Sequence, residues 1–137
     1  VLACNGPTDR IAPWGELLST ACVGRGAAGC VTDGLVRDVK QIREMRFPVF
    51  HGGIGPLDTK GRAKMVERDV AVVCGGVLVR PSDLILGDAD GVVAIPRERA
   101  DEVVAKANEK VLGENKTRDA LLRGEKLSDV FRRFGVL

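Results

Sequence analysis

The sequence predicts an α/β fold built in layers, and three observations predict it. The first half alternates apolar β-rich runs with helical stretches, in the order strand, helix, strand, helix, strand. The middle holds four short β-rich runs separated by Gly-Gly, Pro-Ser-Asp and Asp-Ala-Asp-Gly, and the carboxyl-terminal stretch is patterned as helix. Alternation of the first kind calls for parallel strands joined by right-handed crossovers. Closely spaced short runs call for hairpins or corners.

In chain order, Val1–Cys4 reads as a strand ending at an Asn5-Gly6-Pro7 turn. Trp14 to Arg25, rich in Ala and Leu, is predicted helical, with Gly24 and Gly26 as stop signals. Gly29–Thr32 is the next strand, then an Asp33-Gly34 turn, then Arg37-Asp38. Val39 to Met45 is a short helix with apolar Val39, Ile42 and Met45, and Phe47–Phe50 is a third strand. His51 to Arg68 reads as a glycine-rich loop, long enough to carry a role of its own. Val70–Cys74, Val77–Val79, Leu84–Leu86 and Val92–Ile95 are the short β runs. Pro96 starts a helix whose apolar face is Val103, Val104, Ala107 and Val111. Thr117–Arg123 and Leu127–Phe134 complete a charged helical tail.

A chain of 137 residues suits one compact domain, 1–137, with an apolar core. It opens without Met on what reads as a strand interior, so a further amino-terminal portion is expected. With 45% apolar residues and charges of mixed sign, the composition is globular. A formal charge of +2, scattered cations and no Tyr argue against nucleic acid as a partner. No apolar run approaches the roughly 20 residues a spanning helix needs, and no signal peptide is visible, so no membrane partner is expected. Cys4, Cys22, Cys30 and Cys74 form no C-x-x-C pair and sit in apolar runs, which predicts reduced core cysteines and a cytoplasmic protein.

Arg37 and Asp38 stand where a buried strand ends, the place an α/β sheet displays chemistry. A guanidinium grips a carboxylate or oxo group at two points, and a neighbouring carboxylate can hold a divalent metal. Together they would bind a 2-oxo acid and take up charge at its carbonyl oxygen. A structural alternative exists: Asp38-Val-Lys-Gln41 fits a capping box and Arg37 a surface ion pair. Gly15-Glu16-Leu17-Leu18 opens a helix, where free N–H groups favour an anion, although Glu16 also suits a helix start locally. Trp14 reads as packing. His51 is the only histidine, so a multi-histidine zinc site is excluded, while an acid–base role stays open. Lys60 does not complete a Walker motif, and no G-x-S-x-G elbow is present. Asp83, Asp88 and Asp90 read as turn formers.

Five segments in order, Trp14-Gly-Glu-Leu-Leu18, Asp33-Gly-Leu-Val-Arg-Asp38, Phe47-Pro-Val-Phe50, Gly75-Gly-Val-Leu-Val-Arg-Pro81 and Asp88-Ala-Asp-Gly-Val-Val-Ala-Ile-Pro96, resemble the RraA-like family. That family includes the 4-hydroxy-4-methyl-2-oxoglutarate / 4-carboxy-4-hydroxy-2-oxoadipate aldolases, which also decarboxylate oxaloacetate. The resemblance implies a layered α/β/β swivelling-domain-like fold with carboxyl-terminal helices. It implies homotrimers or hexamers with sites between subunits, and Mg2+ or Mn2+ as cofactor. The family's acidic residue, twenty intervening residues and Arg-Asp correspond to Glu16 and Arg37-Asp38. Carried over, Asp38 binds the metal, Arg37 contacts the oxo or enolate oxygen, the amides of Gly15, Glu16, Leu17 and Leu18 hold the carboxylate, and Glu16 orients water. The non-enzymatic regulators of ribonuclease E resemble the chain too, but typically lack the aspartate after the arginine, so Asp38 favours the enzyme branch. Gln41 stands where many active members carry a carboxylate, and Ser82 replaces a usual turn glycine.

Overall fold

The computed structural model describes residues 1–6 and 10–135, and the chain divides into two units, Val1–Pro96 and Arg97–Leu137. Pro7 of the expected first turn lies outside the described residues.

In the first unit, β1 (Leu2–Cys4), β2 (Cys30–Val36) and β3 (Val49–Ile54) form a parallel sheet in that order, with α1 (Glu16–Gly24) and α2 (Val39–Glu44) as the crossovers. Side chains alternate across a strand, so the register puts Ala3, Val31 and Phe50 on one face and Cys30 with Val49 on the other. The Cys30 face packs under the helices in a core of Trp14, Cys30, Val36, Ile42 and Phe47, with Cys4, Cys22, Val39 and Met45 against it. Toward the Ala3 face lie two antiparallel hairpins, β4 (Val72–Cys74) with β5 (Val77–Val79) and β6 (Leu84–Gly87) with β7 (Val92–Ile95). Val31, Phe50, Val77, Val79, Ile85 and Val92 line a cavity of about 390 Å³ there. A sheet covered on both faces takes apolar residues on both, as at Leu2–Cys4, Cys30-Val31 and Val49-Phe50, where the three strands pair.

The expected Asp33-Gly34 turn is instead a bulge inside β2. Three steps from Thr32 to Leu35 match two steps from His51 to Gly53, so β2 carries one extra residue. Glycine is needed there for proximity: a Cβ on Gly34 would lie 2.8 Å from the Gly6 Cα. The Asp33 carboxylate accepts N–H bonds from Gly6 (2.5 Å) and Gly75 (3.0 Å), tying the end of β1 and the β4–β5 turn to the bulge. The strand expected over Phe47–Phe50 starts later and runs through His51-Gly52-Gly53 to Ile54, so the first part of the expected loop is sheet. A Cβ on Gly52 would lie 2.1 Å from the Asp33 carbonyl oxygen, which explains glycine in a strand.

The four cysteines are free; Cys30 and Cys74 are buried and Cys4 and Cys22 half-buried. Hydrogen bonding from the Cys30 thiol, against burial and aided by Thr32, lowers the Cys4 thiol to about 7. The same bond and burial raise Cys30. Alkylation of Cys4 by iodoacetamide, followed by mass spectrometry, should therefore reach half its maximal rate at a pH below that of an ordinary thiol. Cys30→Ala should move that midpoint up toward the ordinary thiol value of about 8.5. A wild-type midpoint already at the ordinary value would contradict the activation.

In the second unit a 3-10 turn, Arg97–Arg99, leads into α3 (Ala100–Leu122), and α4 (Leu127–Phe134) packs on it. Two expectations are corrected. Thr117–Arg123 is no separate segment, because α3 runs unbroken through Gly113. The buried residues of α3 are Ala100, Thr117 and Ala120, whereas Val104 and Val111 remain 42% and 51% exposed. Small side chains let α4 approach closely and bury Val130 completely. No described helix is long and apolar enough to cross a membrane.

Candidate functional site

Where β1 ends, Trp14 takes its place beside β2, pairing in parallel with Val36, and its carbonyl accepts the Arg37 N–H at 3.0 Å. The helix expected from Trp14 thus starts at Glu16, with extended Gly15 as its N-cap. This one pairing brings the start of α1 against the end of β2.

Asp38 has φ 58° and ψ 33°, a left-handed conformation that aspartate tolerates at a cost of order 1 kcal/mol. The expected capping box with Gln41 does not form, since Asp38 makes no side-chain bond to α2. Its Oδ2 instead accepts the Glu16 N–H at 3.2 Å and the Arg37 Nη1 at 3.2 Å. The carboxylate therefore caps α1, a helix 22 residues back in the chain. Both side chains remain about one-third exposed, at 34% and 35%. Oδ1 of Asp38 accepts no bond among the described residues, and neither does the buried Arg37 Nε donate one.

Gly15 makes this convergence possible. A Cβ there would lie 2.7 Å from Asp38 Oδ2 and 3.0 Å from Arg37 Cγ. Behind it, buried Trp14 donates its Nε1–H to Ser19 Oγ (2.9 Å), and Ser19 Oγ donates to the Gly15 carbonyl (3.1 Å). Trp14 is thus the packing residue expected, and a member of the core. The amides of Leu17 and Leu18 belong to the first turn, which has no carbonyl one turn earlier to pair with. Their side chains point out, 73% and 47% exposed.

Glu16 folds along its own helix, Oε1 accepting the Thr20 hydroxyl at 2.8 Å. His51, paired in register with Thr32 on the far side of the bulge from Val36, lines the hairpin-side cavity and is not brought to Arg37. Gln41 is exposed on α2. Among the described residues no group of three or more His, Cys, Asp or Glu is placed to hold a metal ion. What converges is a guanidinium, one carboxylate with a free oxygen, and the N–H groups of a helix start. That set can bind an oxo acid through its anionic oxygens. The sequence pointed to Gly15, Glu16, Arg37 and Asp38, but gave no sign of Ser19, whose hydroxyl looks like any helix-surface serine until Trp14 is placed.

The family model described as Aldolase/RraA, RraA-like, matches residues 1–94. An uncharacterized protein of Methanocaldococcus jannaschii is 42% identical over 119 residues, 87% of this chain and 57% of that protein. A provisionally named 4-hydroxy-4-methyl-2-oxoglutarate aldolase of Halalkalibacterium halodurans is 41% identical over 85 residues, 62% of this chain and 40% of the relative. The chain thus spans only part of the curated relatives it matches. Among solved structures, Streptomyces coelicolor RraAS2, described as an unusual member of the RNase ES inhibitor RraA family, superposes with TM-score 0.77. It is 31% identical, over 85% of this chain and 60% of that one.

Proposed function

This chain belongs to the Aldolase/RraA family, and from that premise we propose that it cleaves 4-hydroxy-2-oxo acids to pyruvate and decarboxylates oxaloacetate. The observation that carries the reading is the meeting of Arg37, Asp38 and the Glu16 amide on one carboxylate oxygen, at the start of α1. The relatives named as 4-hydroxy-4-methyl-2-oxoglutarate aldolases support the substrate class.

The donor set suits Mg2+ or Mn2+. Such hard ions keep several waters and take one or two carboxylates, and Asp38 offers one free oxygen near the surface. Zinc, with three or four nitrogen or sulfur ligands, does not suit it. Asp38 Oδ1 would hold the ion, which when bound supplies positive charge that polarises a 2-oxo group and makes nearby water more acidic. Leu17 and Leu18 amides bind the substrate carboxylate at the positive end of α1. Arg37 binds the 2-oxo oxygen. As the C3–C4 bond breaks, its electron pair moves onto that oxygen, and the guanidinium stabilises the resulting pyruvate enolate. Glu16, with its second carboxylate oxygen, orients the water that accepts the 4-hydroxyl proton. In oxaloacetate the same bond breaks with loss of carbon dioxide. Further ligands come from a second copy in a homotrimer or hexamer, whose contacts would cover exposed Leu17 and Leu18.

Purified protein with Mg2+ or Mn2+ should release pyruvate from oxaloacetate and from 4-hydroxy-4-methyl-2-oxoglutarate, and EDTA should abolish the release. A second reading, a non-catalytic regulator that binds ribonuclease E or a helicase, is favoured by the RraAS2 likeness. Absence of metal-dependent pyruvate release, together with binding to such an enzyme, would establish it instead.

A further inference from the structure

We infer that Ser19 is a positioning residue, aiming the Glu16 amide at Asp38 by holding the carbonyl at the opposite end of the same planar peptide. The inference deepens the reading above and rests on it. The Gly15 C=O and the Glu16 N–H belong to one peptide unit, whose partial double bond keeps oxygen and hydrogen antiparallel. Whatever fixes the oxygen therefore fixes the direction of the N–H. Ser19 holds that oxygen twice, through its N–H and its hydroxyl, each at 3.1 Å. At the opposite edge of that plane the Glu16 N–H meets Asp38 Oδ2 at 3.2 Å.

The hydroxyl is itself fixed. Ser19 is fully buried, and its oxygen accepts the Trp14 indole N–H at 2.9 Å, which directs the hydroxyl proton to Gly15. A mid-helix serine ordinarily bonds back to the carbonyl four residues earlier with no consequence beyond a slight bend. Here that carbonyl is part of the N-cap. Trp14 is pinned in turn, because its own carbonyl takes the Arg37 N–H. One buried hydroxyl thus links the indole, the Gly15 turn and the carboxylate that pairs with Arg37.

The test separates aiming from simple satisfaction of the indole. Ser19→Ala should lower kcat for pyruvate release about tenfold with KM changed less than about threefold. It should also speed hydrogen exchange of the Glu16 amide, read by NMR, about tenfold. Ser19→Thr, which keeps a hydroxyl able to reach the i−4 carbonyl, should restore both. The double variant Trp14→Phe/Ser19→Ala leaves no buried indole donor unpaired, so any effect of an orphaned indole is relieved while Glu16 exchange and kcat stay altered. It also carries both measurements should Ser19→Ala alone fail to fold. Recovery of kcat and exchange in the double variant, or unchanged Glu16 exchange in Ser19→Ala, overturns the inference. If the wild type releases no pyruvate, the aldolase reading fails, while Glu16 exchange still decides the role of Ser19.

Discussion

Arg37→Ala should lower turnover of a 2-oxo acid on the order of 100- to 1000-fold while the protein stays folded. The guanidinium stands at the meeting of α1 and β2 described above, and its Nε has no partner among the described residues. Removing a preorganised donor from a developing oxyanion commonly costs roughly 3–4 kcal/mol of barrier. Stability should change by less than about 1 kcal/mol, because the pair with Asp38 is partly exposed and such pairs contribute little to folding. Arg37→Lys should recover only a small part of the loss, since an ammonium cannot bridge two oxygens as a planar fork does. Steady-state pyruvate release and urea unfolding measure the two quantities. Full activity in Arg37→Ala would remove the guanidinium from the mechanism.

Gly15→Ala should cost both activity and stability. The backbone at Gly15 is extended, with φ −162°, so any residue can adopt it. The penalty comes from space, since the added methyl would stand 2.7 Å from Asp38 Oδ2 and 3.1 Å from Arg37 Cζ. The carboxylate must swing away and α1 loses its cap. Overpacking costs about 1–3 kcal/mol and a lost cap about 1 kcal/mol. Turnover should fall at least about 100-fold, as both charged groups leave their positions together. Gly24→Ala is the matched control: it is the last residue of the same helix with nothing within 4 Å, and should leave turnover unchanged and stability within about 0.5 kcal/mol. Wild-type activity in Gly15→Ala would mean that the convergence at Asp38 is irrelevant to turnover.

The alternation of apolar and helical runs carried the parallel sheet and its crossovers, because each element is written locally in side-chain periodicity. The hairpins were equally legible from Gly75-Gly76 and Gly91, all at positive φ in turns. Periodicity could not report close approach between distant backbones. Gly34 and Gly52 look like loop formers but sit in strands, because their neighbours at Gly6 and Asp33 leave no room for a side chain. The capping box at Asp38 failed for a related reason. A carboxylate has a choice of helices, and the left-handed backbone turned it from the near one to a helix 22 residues back. Arg37 and Asp38 stood out at a strand end and Gly15 to Leu18 at a helix start, and the fold brings the two segments together, whereas Ser19 became visible only once a long-range pairing had set Trp14 beside Val36.

The left-handed turn at Asp38 has a consequence for how such a protein can gain or lose its chemistry. Asparagine accepts that turn as readily as aspartate, and its amide oxygen can receive the same two donors. Exchanging one oxygen for an NH2 group would thus erase the anion and leave the chain path untouched. On the proposed reading, a lineage could pass from reagent to inert scaffold through a single codon, with nothing in its shape to record the change.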